Sequence, residues 1–356
     1  MNDRPTNPGN LDKLESGPTP DPSPSYREGD VIHTAPEFAL TGADVLAPER
    51  GDVVAGTSLW RDAWHRLLKN KLAVFGMIVV VLVAIASILG PAIIKKTTGY
   101  APDTIPSDAK LIKALPPFKT PDGAFSWLHP MGTDNQGRDM LARVLQGGQI
   151  SLMVGIIATI VSLLIGVAYG AVAGYLGGRI DNLMMRFVDI LYSLPYIILV
   201  IVLLAMFRRN TPMGQLVLLF IALGSVSWLT MARIVRGQVL SLKNQEFVLA
   251  ARATGVSTLR IIFRHIVPNT LGPVVVYATL TIPTIMLTEA FLSFLGFGVQ
   301  APLASWGTLA TEGIQNIGIY PWQMVFPGLT MSLTLFSLNF LGDGLRDALD
   351  PQMRKV

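Results

Sequence analysis

The residues able to do chemistry in this sequence are few and far apart. Glu289 stands inside a long apolar run, where an ionised carboxylate is costly. That position suits either a proton-carrying residue on a transport path or a carboxyl hydrogen-bonded to a neighbouring helix such as the one bearing Asn339. Asp189, shortly after Arg186, suits a local or intersubunit ion pair more than a proton relay. His33, His65, His129 and His265 are scattered without ligand spacing, so no metal site is expected from them. The absence of cysteine removes disulfides, thiol nucleophiles and thiolate metal ligands. The sequence has no Gly-x-x-x-x-Gly-Lys-Ser/Thr phosphate loop, no His-Glu-x-x-His pair and no nucleophile elbow. The chain is therefore expected to be no enzyme, with no catalytic residue and no cofactor or metal of its own. Any energy it uses must come from elsewhere.

The most informative polar stretch is 244–268, NQEFVLAARATGVSTLRIIFRHIVP, which lies between long apolar segments. Arg252, Arg260 and Arg264 keep it out of lipid, so it must cross an aqueous face. It reads as two short helices. In the first, Asn244 is the expected N-cap, and Phe247, Ala250, Ala251 and Thr254 fall at i, i+3, i+4 and i+7, one narrow face of largely small side chains. Such a face lets a helix seat deeply in a groove. Gly255 supplies the positive φ that ends this helix, and Ser257 or Thr258 caps the next. In that second helix Leu259, Ile262, Phe263, Ile266 and Val267 form the apolar face and Arg260 and Arg264 the polar one. Pro268 is expected to end it. On spacing alone, the same hairpin also describes a connector that braces two spans.

The elements that must position these residues follow from composition. A chain that is 51% hydrophobic and 15% charged is too apolar for an ordinary soluble domain and reads as an all-α, polytopic membrane protein. Its basic residues border apolar runs and form no patch, which fits anionic lipid and not nucleic acid. Residues 1–58, rich in Pro, Gly, Ser and Asp, are expected to be a disordered cytoplasmic tail without a secretory signal. Residues 59–94 hold an interfacial collar, with Trp60, Arg61, Trp64 and Arg66, and a first span over 72–94. Residues 95–149 form an extracytoplasmic insert, whose Met140, Leu141, Val144 and Leu145 suit a stripe lying along the membrane surface.

A five-helix core, 150–342, supplies the remaining spans at 150–176, 187–207 with a kink at Pro195, 213–231, 271–299 and 324–341. It includes the polar hairpin, and 343–356 returns to the cytoplasm. Gly166, Gly170 and Gly174 recur every fourth residue in the second span, a stripe on which another helix can approach closely. Six spans place both termini inside. Lys and Arg are in excess on that side, with Arg208-Arg209 as the exception. Neither half of the chain repeats the other, which weighs against an inverted-repeat carrier.

The hairpin resembles the coupling loop of ATP-binding-cassette importer permeases, whose pattern is Glu-Ala-Ala, three residues, Gly, nine residues, Ile, any residue, Leu, Pro. Ala250, Ala251, Gly255 and Pro268 match it, while Leu249, His265 and Val267 replace the usual Glu, Ile and Leu. The run HPMGTDNQGRD, 129–139, resembles a segment of the oligopeptide, dipeptide and nickel group of these permeases. It is either an ordered loop tying the insert to the second span or a contact for a docked binding protein. The stretches 174–189, 291–307 and 338–351 resemble the same group in the same order.

The resemblance implies a six-helix, type I importer permease fold in the bacterial cytoplasmic membrane. It implies a heterodimer with a second permease, two cytoplasmic ATPase subunits that bind the ATP and Mg, and an extracytoplasmic solute-binding protein. Phe247, Ala250, Ala251, Thr254, Gly255 and Pro268 would then couple to the ATPase. The solute implied is a peptide, oligopeptide ahead of dipeptide, with nickel or another small solute as the alternative. Two rival classes remain: an ion-coupled carrier using Glu289, and a membrane scaffold that transports nothing.

Overall fold

The computed structural model describes residues 59–108 and 111–350; the expected tail, 1–58, and the last residues, 351–356, lie outside the described residues. Helices dominate what is described. Amphipathic α1 (Leu59–Lys69) is separated from α2 (Lys71–Thr98) by Asn70, whose side chain accepts the amides of Leu72 and Ala73 and so starts the second helix. A loop of more than thirty residues, held by turns and two isolated bridges, leads to α3 (Met140–Leu176). Then come α4 (Gly178–Tyr192), α5 (Tyr196–Met206), α6 (Pro212–Leu242) and α7 (Glu246–Ala253). The short α8 (Thr258–Arg260) passes through a π-helical stretch, Ile261–Ile266, into α9 (Val267–Phe294). Finally α10 (Trp306–Ile314) precedes α11 (Trp322–Leu349).

Five of these helices are long and apolar enough to cross a membrane, and a sixth span results if α4 and α5 are taken together. α6 is the most enclosed of the five and α2 the least. The reason for α6's place is written on α3. A Cβ at Gly166 would come within 2.6 Å of the Met231 side chain and one at Gly174 within 2.9 Å of the Arg236 carbonyl. One at Gly170 would run into the carbonyl of Ala232. Without side chains along this stripe, α3 and α6 approach backbone to backbone, where dispersion contacts and not water exclusion hold helices together in lipid. α11 closes on α2 by the same device, Gly76 against the Ser337 carbonyl and Gly344 against Ala73. Next to it Ala63 and Leu67 of α1 pack with Ala73 and Ala348, while Trp60 and Trp64 stay exposed.

Several boundaries differ from the sequence expectation. Pro195 marks a full break and not a kink. α4 and α5 meet at 81° across Ser193–Pro195, because α4 is already capped at Ser193 and Pro195 then opens α5 at φ −59°, ψ 116°. The residues between the expected second and third spans, 177–186, are themselves helical from Gly178. The stripe of Met140 and Val144 does not lie along a surface. Asp139 caps α3 by accepting the Ala142 amide, and the stripe forms the first turns of that 37-residue helix, buried beside Trp306. Such a helix is roughly 55 Å long, well beyond the ~30 Å of bilayer hydrocarbon.

Pro268, last, does not end the second hairpin helix. The Val267 amide reaches back five residues to the Ile262 carbonyl, and this widened turn makes room for the proline ring within a rod that runs from Thr258 to Phe294. At the hairpin's other end Gln245, not Asn244, is the N-cap of α7, and neither Gln245 nor Ser257 caps through its side chain.

Candidate functional site

The hairpin corner is built by its glycine. Gly255 has φ +76°, its amide bonds the Arg252 carbonyl, and the Val256 amide bonds the Ala251 carbonyl. This is the Schellman closure of a helix C-terminus, with Val256 packed beside the same apolar cluster that holds Ala251. From that corner α7 presents two faces. Val248 and Ala251 turn inward onto Val235 and Val239 of α6 and Ile261, Ile262 and Ile266 of the π-helical turn. Phe247, Ala250 and Thr254 turn outward and are exposed.

The outer face therefore keeps three of the four residues expected to share it and loses Ala251. The run Phe247-Val248-Leu249 is apolar throughout, so its phase about the helix was open; Val248, wholly buried, is the residue that sets it. Two polar ties pin the flanks of α7 to the end of α3. The Arg252 Nε donates to the Tyr175 hydroxyl at 3.0 Å and the Lys243 Nζ to the Gly174 carbonyl at 3.3 Å.

The third span is tied to α6 by two ion pairs. The Arg236 guanidinium donates both ways to Asp181, at 2.6 and 2.7 Å, and Arg233 bonds Asp189 at 2.7 Å while stacking over the Tyr192 ring. Asp189 thus pairs across helices within this chain, and its partner is not Arg186. Both arginines lie on α6 at i and i+3, a spacing that could have pointed to two acidic partners on one facing helix.

At the end of the bundle opposite α7, the 129–139 motif is an ordered clamp. His129 Nδ1 lies 2.7 Å from Asp139, and Asp134 accepts the amides of Gln136 and Arg138 through one oxygen and the Arg138 and Arg143 guanidiniums through the other. Arg143, almost fully buried, also reaches Glu312 of α10 at 2.8 Å. Trp322 and Gln323 of α11 donate to the Thr133 carbonyl. The loop is thereby fixed to three helices at once.

Glu289 is buried beneath this clamp. Its Oε1 accepts the hydroxyls of Ser293 and Ser305, each at 2.7 Å, and Ser305 in turn caps α10 by accepting the Thr308 amide. Asn339 is not its partner: that side chain donates to the Leu335 carbonyl of its own helix. The structure thus brings together Phe247, Ala250, Thr254 and Gly255 at one end, with Ala251 behind them and Pro268 in the following rod. The glycine stripe lies at the helix core, and Glu289 and Asn339 stay apart.

Between these ends, the break in the third span opens a cleft of about 650 Å³ against the middles of α6 and α9, which sequence reasoning did not locate.

A family model described as binding-protein-dependent transport system inner membrane component matches residues 166–355, and one described as the N-terminal TM domain of oligopeptide transport permease C matches 58–117. The chain is 47% identical, over 92% of its length and 99% of the relative's, to the oligopeptide transport system permease protein OppC of Haemophilus influenzae. It is 45% identical to the protein of the same name from Bacillus subtilis, covering 84% of this chain and 91% of that one. It is 44% identical to the dipeptide transport system permease protein DppC of Bacillus subtilis, covering 84% and 87%. Among solved structures, an inward facing MetNI methionine ABC transporter is similar at 22% identity and a TM-score of 0.47, over 59% of this chain and 98% of that one.

Proposed function

This chain belongs to the family of binding-protein-dependent transport system inner membrane components, and on that footing we propose that it conducts peptides, oligopeptides before dipeptides, as one of two unlike permease subunits of an importer. It is a multi-pass inner membrane permease, and ATP hydrolysis belongs to separate subunits. Its full complement is a second permease, two cytoplasmic ATPase subunits holding ATP and Mg, and a binding protein that delivers the solute on the other side. Both termini and α7 face the cytoplasm.

The observation that carries this reading is the division of α7 into an inward face that anchors it and an outward face of Phe247, Ala250 and Thr254 left for a groove. Closure of the ATPase pair shifts that groove, and the seated helix passes the motion to α6 and α9, between which it is connected. This is a rigid-body transmission. Because Ala251 is buried, a bulky residue there would unseat α7 from its own subunit, so the outward Ala250 is the position to test.

In the assembled transporter, Ala250→Trp is expected to lower peptide uptake at least tenfold while leaving the subunit inserted and the ATPases active. Gly255→Val forces a β-branched residue to φ +76°, a strain of about 1–2 kcal/mol, and is expected to uncouple hydrolysis from uptake in the same way. Unchanged uptake by both variants would overturn the coupling role.

A further inference from the structure

The 650 Å³ cleft at the break has the chemistry of a surface for a peptide backbone. Its walls carry hydroxyls, among them Ser193, Tyr196, Ser227, Thr230, Thr281 and Thr284, and no Asp, Glu, Lys or Arg. Ser227, Thr281 and Thr284 donate to carbonyls of their own helices, which leaves the oxygens of Thr281 and Thr284 to accept, while Ser227 also meets the Tyr196 hydroxyl. The break adds main-chain groups. α5 starts at Pro195 without a side-chain cap, so the amides of Tyr196, Ile197 and Ile198 have no partner within the helix. Among the described residues nothing bonds them or the carbonyls of Tyr192, Ser193 and Leu194. Non-helical backbone at membrane depth is tolerated only where it lines a cavity or is buried in protein.

A second cleft of about 520 Å³ follows towards the α7 end, bounded by Ile234, Gly272, Arg346 and Asp350. Tyr277 and Leu280, one turn apart on α9, wall both clefts. We propose that the two clefts are successive stations of the translocation path, that the upper one holds a peptide through main-chain hydrogen bonds, and that Tyr277 with Leu280 forms the constriction between them. A largely apolar, uncharged wall set with hydroxyl and main-chain donors and acceptors matches the backbone every peptide shares and is indifferent to the charge of its side chains. Specificity by sequence is then left to other components. The assignment rests on the peptide-importer reading above.

The absence of cysteine from this chain supplies the test. The complete transporter carrying Ser193→Cys, Ser227→Cys or Thr284→Cys is treated with a small charged thiol reagent, beside Leu82→Cys, an exposed position on α2 away from the cleft, and the unsubstituted complex. The three cleft positions are expected to react faster than Leu82→Cys, to be slowed severalfold by saturating peptide, and to lose uptake once labelled. Leu280→Ala together with Tyr277→Ala is expected to raise ATP-independent leak of peptide. Two outcomes would overturn the path while leaving the peptide-importer reading intact: cleft thiols that ignore peptide, or that crosslink to the second permease because it fills the cleft. Failure of the unsubstituted complex to take up peptide would instead overturn that reading.

Discussion

Glu289 shows how far a single residue can be judged from its neighbours. One carboxyl oxygen takes two serine hydroxyls, and one of those serines also starts α10. The arrangement joins α9 to the loop before α10, while the other carboxyl oxygen, Oε2, is buried without a hydrogen-bond partner among the described residues. Glu289→Gln keeps an acceptor of the same shape, so uptake and its pH profile are expected to stay within about twofold of the parent. Glu289→Ala strips both serines of their acceptor and leaves a void, which should cost roughly 2–4 kcal/mol and lower the unfolding temperature in detergent. A transporter abolished by the Gln variant but driven by a proton gradient would restore the ion-coupled alternative.

The Asp181–Arg236 pair gives a second test at this scale. Asp181 is buried and Arg236 about one-third exposed, so Arg236→Ala leaves a buried carboxylate uncompensated. Arg236→Ala is expected to be more destabilising than the double variant with Asp181→Ala, a sign reversal of simple additivity that a double-mutant cycle would read.

At the scale of elements, proline was the ambiguous signal. Pro91, Pro273, Pro283 and Pro327 all lie inside helices, Pro195 opens one after a break, and Pro268 sits at the start of α9 behind a π-helical turn. What separates Pro195 from Pro268 is the backbone just before each ring: Ser193 already closes α4, whereas the Val267 amide bonds the Ile262 carbonyl and the helix runs on through a π-helical turn. Hydropathy showed where the spans are but carries no record of such hydrogen-bond choices. That is why the spans and Gly255 were legible, and the 81° bend with its cleft was not.

The glycine stripe was legible because its period is a property of the sequence, although the identity of the facing helix is not. Its consequence is testable. Gly170→Val places branched carbons against the Ala232 carbonyl and is expected to abolish recovery of folded subunit. Gly318→Ala, which meets open space, should leave yield unchanged.

At the scale of the whole molecule, the described residues hold an exposed face on α7, a cleft at the break of the third span and an ordered clamp, and ATP hydrolysis belongs to separate subunits. The permease alone in proteoliposomes is expected to show neither ATP hydrolysis nor concentrative peptide uptake, and both should appear only with the ATPase and second permease present. The clamp belongs to this scale too. Because Asp134, Arg143 and Glu312 tie the long loop to α3 and α10, with Glu312 about half exposed, that end of the bundle offers a rigid surface and not a loose loop. The resemblance found in 129–139 was thus informative about order. The pairing of Arg143 with a residue far along the chain was beyond any local pattern.

The uninterrupted rod from Thr258 to Phe294 also sets a mechanical ratio. From Ile266 at its base to Thr284 in the upper cleft is roughly 27 Å at 1.5 Å per residue. A tilt of only ~10° imposed at the base would sweep the far point sideways by roughly 5 Å, about the width of an extended polypeptide. On the coupling proposed above, a motor need thus move the hairpin very little for the cleft to open or shut, and one helical shaft becomes the gearing of the machine.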